Sequence, residues 1–422
     1  MKPSLQIMAA HVHPSLFDLP WNTPLEDWPE DIVAALPRGI SRHIVRFVYL
    51  DEKIIAVKEM SEQVAYREYQ MLRDLGRLGA PAVQPVAVVT GRSTADEALN
   101  ASLVTEHLAY SLPYRALFGQ TQRPDSVRRL IDALSVLMVR LHLLGFYWGD
   151  VSLSNTLFRR DAGEFAAYLV DAETGELYDW LTDGKRQYDI DIARTNIIGE
   201  LMDLQAGGIL RKDFDCIEIG NTLVQRYNTL WNELTEATTY SADERWKIAE
   251  RIKRLNDLGF EVGELSMSSD ANGTRVSIQP KVVDAGHYSR QIMKLTGMDV
   301  EENQARRMLN DIEQYRSTNN LGKSLPIAAH DWMTHVFEPT IEAIPLELRE
   351  RLEPAEIFHQ VLEHRWYMSE RANQDVPHEE AVRSFIDTVL RHHPDERSFF
   401  GRSAEQVMGP DTGEISGMST FF

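Results

Sequence analysis

Cysteine is almost absent: Cys216 stands alone among 422 residues, which excludes a disulfide framework and a multi-cysteine zinc site. Basic residues are in deficit, with Lys plus Arg at 44 against Asp plus Glu at 64, a formal net charge of −20. A surface that acidic repels nucleic-acid phosphates and anionic membranes, and no Lys/Arg run provides a local exception. Long apolar runs are missing too. The most apolar long stretch, Leu130 to Trp148, is interrupted by Asp132, Arg140 and His142, so no membrane span is expected. The N-terminus offers Lys2, then Pro3 and the mixed stretch from Gln6 to His13, with no apolar core of signal-peptide length. Gly39, in Pro37-Arg38-Gly39-Ile40-Ser41-Arg42, is the one glycine near the first strand, so no G-x-G-x-x-G loop exists there. What is present is 43% apolar and 26% charged, enough to bury a sizeable core over two to three domains. The expectation is a cytoplasmic globular protein without nucleic-acid partners.

Pro14, Pro20, Pro24, Pro29 and Pro37 punctuate residues 1–37, with Trp21 and Trp28 between them, which predicts an irregular arm packed on a domain surface. The period then changes to strands. His43–Leu50 and Lys53–Met60 read as a hairpin joined at Asp51-Glu52. Ser61 opens a helix with Val64, Glu68, Leu72 and Leu75 on one face, ending near Gly79-Ala80-Pro81. Strands around Val83–Val89 and Ser102–Leu108 follow. Asp125 or Ser126 then caps a helix whose Leu130, Leu134, Leu137, Leu141 and Leu144 form one apolar stripe. His142 on that helix reads as a core histidine hydrogen-bonded to backbone. Short strands at Asn155–Phe158 and Ala166–Val170 flank a turn at Asp161-Ala162-Gly163, and helical periodicity dominates from Ile190 to about Leu258. Phe260–Met267 and Thr274–Val283 flank Asp270-Ala271-Asn272-Gly273, a hairpin signal. Helices are expected near 286–297, 300–316, 326–343, 353–371 and 377–392, with Asp299 and Glu302 as a capping box for the second. Residues 401–422, rich in glycine and serine, predict a disordered tail.

Three clusters carry chemistry. Lys58 ends a strand and Glu68 lies mid-helix among core positions, where an unpaired carboxylate is costly; Lys58 is the nearest partner in chain order. Trp148-Gly149-Asp150-Val151-Ser152-Leu153-Ser154-Asn155 places an Asp five residues before an Asn, between a long helix and a strand. Val170-Asp171-Ala172-Glu173 puts Asp171 at a strand end. Taken singly, Lys58 reads as a solvated strand lysine, and Asp150 and Asp171 as turn residues. His359, Glu363 and His364 share a helix, but without a third ligand at metal spacing they read as a solvated or capped face.

Together, the order Lys58, Glu68, Asp150, Asn155, Asp171 resembles the protein-kinase-like fold over roughly residues 38–225. That resemblance implies ATP and Mg²⁺. Lys58 would pair with the phosphates and Glu68, Asp150 would face the acceptor hydroxyl, and Asn155 and Asp171 would hold the metal with help from Glu173. The backbone around Glu106 and Leu108 would contact adenine, and Asp191, in Asp191-Ile192-Ala193, would brace the catalytic loop. Ser152 stands where protein kinases carry a lysine, and Gly149-Asp150 with Asn155 and Asp171-Ala172-Glu173 looks more like aminoglycoside and choline kinases. More narrowly, the chain resembles a bacterial lipopolysaccharide-kinase-like family with a C-terminal domain of unknown function. That likeness rests on Leu19-Pro20-Trp21, Leu36-Pro37-Arg38-Gly39-Ile40-Ser41-Arg42, Leu295-Thr296-Gly297-Met298-Asp299, Asn303-Gln304-Ala305-Arg306-Arg307 and Glu353-Pro354-Ala355-Glu356-Ile357-Phe358-His359.

The expected fold is α+β: an arm (1–37), a kinase-like N-lobe (38–108) and C-lobe (109–229), an α-rich C-terminal domain with one β-hairpin (230–400), and a tail (401–422). The expected activity is ATP- and Mg²⁺-dependent phosphotransfer to a hydroxyl of a small molecule, sugar or lipid head group, with the C-terminal domain available to a protein partner. The rival readings are a protein Ser/Thr kinase and a catalytically silent nucleotide-binding module.

Overall fold

The computed structural model describes residues 4–11, 13–34, 43–51, 53–120, 124–241, 244, 246–269, 275–319 and 322–396. The stretch around Gly39, the turn at 270–273 and the tail at 401–422 therefore lie outside the described residues. The fold is α+β and divides into two compact units: Met1–Asp74 with Val83–Ala109 and Pro394–Phe422, and Leu75–Ala82 with Tyr110–His393.

In the first unit an antiparallel sheet runs in the order β1-β4-β5-β3-β2, with β1 Gln6–Ala9, β2 Val45–Leu50, β3 Lys53–Met60, β4 Pro85–Thr90 and β5 Ala101–Glu106. Strand alternation sends Ile55 and Val57 to one face, where they are buried with Val48, Leu50 and Val104. The N-terminal arm covers that face with Leu16, Leu19, Trp21, Leu25 and Trp28. The arm is not wholly irregular, because Gln6–Ala9 pairs with β4 as an edge strand too short to show alternation. Buried Arg92 pins it: the guanidinium donates to the carbonyls of Trp21 and Thr23 and meets Glu59 at 2.6 Å. Helix α1, Glu62–Arg77, follows β3 and buries Ala65, Tyr69, Leu72 and Leu75.

The second unit begins with β6 (Leu112–Pro113), α2 (Tyr114–Gln120) and α3 (Pro124–Leu143). The leucine stripe is core: Leu130, Leu134, Leu137 and Leu141 are buried, and α3 packs on strand β9 and helix α5, both delimited below. β7 (Phe146–Tyr147), β8 (Thr156–Asp161), β9 (Glu164–Leu169) and β10 (Glu176–Leu177) follow, then α4 (Asp183–Ala206) and α5 (Cys216–Thr235). Strands β8 and β9 form a hairpin with Asp161 opposite Glu164, and β6 pairs on its outer side. Next come β11 (Thr238–Ser241), α6 (Trp246–Asp257), β12 (Phe260–Ser269) and β13 (Arg275–Ala285). β12 and β13 pair antiparallel, and β11 joins β13 to make three strands where two were expected.

The remaining helices are α7 (His287–Thr296), α8 (Glu302–Asn319), α9 (Leu325–Trp332), α10 (Glu338–Glu342), α11 (Leu346–Arg349), α12 (Pro354–Ala372) and α13 (His378–Thr388). The expected single helix at 326–343 is interrupted by a π-turn, Met333–Phe337, in which the Glu338 N–H reaches back five residues to Met333. Pro339 has no N–H to continue the α ladder, so the register shifts just before it.

These helices are locked to the β8–β9 hairpin. Asp161 at its tip is buried and caps α8, accepting from the Asn303 and Gln304 backbone N–H groups at 3.1 and 2.8 Å. The Asp299/Glu302 box is thus not what caps this helix: Glu302 accepts from the N–H groups of Tyr288 and Ser289 and caps α7 instead. Glu356 on α12 accepts from the Ala162 N–H at 3.1 Å, and Arg159 lies between Glu301 (3.0 Å) and Glu353. Burial pushes the Asp161 and Glu353 carboxyls up to about 7, with Glu301 adding to the rise in both and Arg159 opposing it in Glu353.

Candidate active site

Lys58 lies on the sheet face opposite Ile55 and Val57, and its ammonium meets Glu68 of α1 at 3.1 Å. The glutamate is 1% exposed and the lysine 13%. A carboxylate that deep costs several kcal/mol unless matched, so the pair fixes where each group stands. The stretch expected to meet adenine is ordered by backbone bonds: Glu106 donates its N–H to Gln84 at 2.8 Å and His107 to Ile54 at 3.0 Å. Register places Glu106 opposite Ile55, on the face away from Lys58, and its carboxylate pairs with Lys53 at 3.1 Å. Burial pushes His107 down to about 4, so its imidazole is neutral. Leu108 follows directly, half-buried.

In the second unit the loop after α3 is fixed from below by Asp189 of α4. This wholly buried carboxylate accepts from the backbone N–H groups of Trp148 (2.9 Å) and Gly149 (2.8 Å) and lies 3.1 Å from His142 Nε2. The other nitrogen of His142 meets the Tyr227 hydroxyl at 2.7 Å. Two expectations are corrected here. The bracing aspartate is Asp189, not Asp191, whose exposed carboxylate accepts from Gln187 at 3.2 Å. His142 is a core histidine, but its partners are side chains. Gly149 sits at φ +78°, and a Cβ there would lie 3.0 Å from the Tyr147 ring, so a side chain before Asp150 would be strained.

Asp150 and Asn155 come together as expected. Asn155 Nδ2 donates to the Asp150 carbonyl at 3.0 Å and to its carboxylate at 3.2 Å. Asn196 of α4 donates to the other Asp150 oxygen at 3.3 Å. Glu200 accepts from the Leu153 and Ser154 N–H groups at 2.7 and 2.9 Å, and burial raises its carboxyl above the ordinary value. Ser152 turns inward, its hydroxyl taking the Asn155 N–H at 3.2 Å. Buried Trp148 donates its indole N–H to the Asp171 carbonyl at 2.8 Å. Asp171 then accepts the Glu173 N–H at 3.0 Å, which fixes the two acidic side chains two residues apart at the end of β9. Asp189, Asn196 and Glu200 were not singled out from sequence, yet their spacing of seven and four puts them on one stripe of α4, interleaved with buried Ile190, Ala193 and Ile197.

The lipopolysaccharide kinase (Kdo/WaaP) family matches residues 50–194, and a domain of unknown function, DUF4032, matches residues 229–390. The resemblance read from the sequence, a lipopolysaccharide-kinase-like segment followed by a domain of unknown function, is found in both parts of the chain. A solved structure described as WaaP in complex with acyl carrier protein is 18% identical, with a TM-score of 0.35, over 60% of this chain and 99% of that one. No curated protein matches the chain. Among the described residues, no helix is long and apolar enough to cross a membrane.

Proposed function

We propose that the chain is an ATP- and Mg²⁺-dependent phosphotransferase acting on a hydroxyl of a small molecule, sugar or lipid head group. The observation that supports it most is the loop Trp148–Asn155, in which Asp150 is oriented by two amide side chains and the backbone is fixed by Asp189 and Glu200. Such a carboxylate would receive the acceptor hydroxyl's proton, and the two amides set the direction in which it faces. Lys58, held by Glu68, would neutralise the transferred phosphate's charge.

Asn155, Asp171 and Glu173 offer oxygen donors, the set that suits a hard cation such as Mg²⁺. The Asn155 amide donates through its nitrogen to Asp150, which turns its oxygen to the other side. A bound Mg²⁺ supplies charge neutralisation on the phosphates.

Two features support a non-protein acceptor. Ser152, where protein kinases place a phosphate-holding lysine, is spent on the loop's own turn. Residues 172–182, between Asp171 and α4, are short and carry β10, which pairs with β7, leaving no length for a peptide-docking segment.

The test is a thermal-melting titration with Mg-ATP, followed by a phosphorylation screen of metabolites, sugars and lipids comparing wild type with Asp150→Asn. Millimolar Mg-ATP should raise the melting temperature by mass action. A flat titration with well-folded protein would refute nucleotide use. A stabilised chain with no Asp150-dependent product would make it a silent nucleotide-binding module, and label entering only a protein would make it a protein kinase.

A further inference from the structure

Helices α8 and α12 line a cavity of about 320 Å³. Buried Met308, Ala355 and Phe358 and half-buried Leu362 give it an apolar interior, and exposed Trp366 stands at its rim. Two charges of opposite sign flank that interior. Arg307 Nη1 lies 3.1 Å from both ring nitrogens of buried His359, and the Glu363 carboxylate lies 3.9 Å from His359 Nε2. The charges therefore flank one imidazole, and they are not paired with each other among the described residues. Burial lowers the His359 pKa, Glu356 and Glu363 opposing the fall and Arg307 adding to it, so the ring adds no full charge between Arg307 and Glu363, both of which are exposed at the cavity mouth. A guanidinium has five N–H donors in a fork that fits a carboxylate, and contact with His359 through Nη1 does not exhaust them.

We propose that this cavity binds a free apolar α-amino acid, with its carboxylate on Arg307, its ammonium on Glu363 and its side chain against Phe358 and Leu362. A zwitterion suits this protein because it has no net charge to be repelled by a chain of −20. The volume is at the low end for ligand cavities, which run from roughly 300 to 1,000 Å³, and so fits an amino acid better than a nucleotide.

Occupancy would be felt at the β8–β9 hairpin. Gln304 lines the cavity and donates its side-chain N–H to the Arg160 carbonyl at 3.1 Å. Gly163, at the hairpin turn, is so close that a Cβ there would lie 3.9 Å from Arg307 and 4.0 Å from His359. A ligand ordering Arg307 thus orders the turn whose strands lead back to Asn155 and Asp171.

Isothermal titration of the full chain with L-phenylalanine tests this, with 3-phenylpropanoate and phenethylamine as probes that keep one charge each. L-Phenylalanine should bind one to one. Arg307→Gln should weaken L-phenylalanine and phenylpropanoate roughly tenfold and spare phenethylamine, and Glu363→Gln should show the reverse. Leu362→Trp, which fills the cavity, should abolish all three while the melting temperature holds. In hydrogen exchange, L-phenylalanine should slow the amides of Ala162 and Gly163. No heat with millimolar L-phenylalanine or L-leucine, or binding that survives all three substitutions, overturns the proposal.

Discussion

The β8–β9 hairpin carries charge at both ends and uses it in opposite ways. At the tip, Asp161, Glu301, Glu353 and Glu356 meet backbone N–H groups, Arg159 and Gln304 across the join to α8 and α12. At the base, beside Asn155 and Asp171, Asp150 accepts from two neutral amides and is half-buried. A buried charge matched by fixed partners specifies how two parts of the fold meet. Amide side chains instead set the direction in which a half-buried carboxylate faces. The two carboxyls raised to about 7 belong to the tip, where burial and the neighbouring Glu301 displace them at a structural joint.

The largest effect should come from the base. Asp150→Ala is expected to lower phosphotransfer by about 10²- to 10⁴-fold, the usual range for losing a positioned acid or base. Its melting temperature should stay near wild type and Mg-ATP should still stabilise it. Asp171→Ala should weaken the Mg²⁺-dependent part of ATP binding instead. A large stability loss in Asp150→Ala would erase the distinction between the two ends.

At the tip the loss should be one of stability. Asp161→Ala strips the cap from two α8 N–H groups and the Asn303 side chain, all within 3.1 Å of its carboxylate. Removing one partner of a buried charged network costs about 3–5 kcal/mol, readable by urea titration. Equal urea midpoints for this variant and wild type would show that the join contributes little.

Acidity should sharpen the contrast. Asp161 and Glu353 have folded values near 7, above their ordinary 3.8 and 4.5. Between those limits the folded chain holds more protons than the unfolded one, so their contribution is complete below about pH 4 and lost as pH rises through 7. The melting temperature should thus fall between pH 5.5 and 8.5, and Asp161→Asn should flatten that fall. A wild-type profile rising over this range, with Asp161→Asn parallel to it, would contradict the buried-acid account.

Much of this was legible in the sequence. Helix and strand periods announced β2, β3, α1, α3 and the β8–β9 hairpin within a few residues, because each buries one face and the apolar pattern records it. The pairings of Lys58 with Glu68 and of Asp150 with Asn155 were legible from their order and spacing. The supports were not. Arg92 reaches carbonyls some seventy positions away, and Asp161 caps a helix more than 140 residues downstream. Long-range polar partners leave no periodic trace, so the local Asp299/Glu302 pattern took the place of the true cap.

The choice between Asp189 and Asp191 is the finest form of this lesson, and its predicted effect is the smallest. The Asp191-Ile192-Ala193 pattern favoured Asp191, yet on a helix two residues span about 200°, so the two carboxylates point to opposite sides. Asp189 faces inward to Trp148, Gly149 and His142, and Asp191 faces out to Gln187. Asp191→Ala should therefore change stability by no more than about 0.5 kcal/mol and leave activity intact. Asp189→Ala should leave two backbone N–H groups without acceptors and depress both stability and activity. If the Asp191 variant is the inactive one, the loop is braced from the other face of α4.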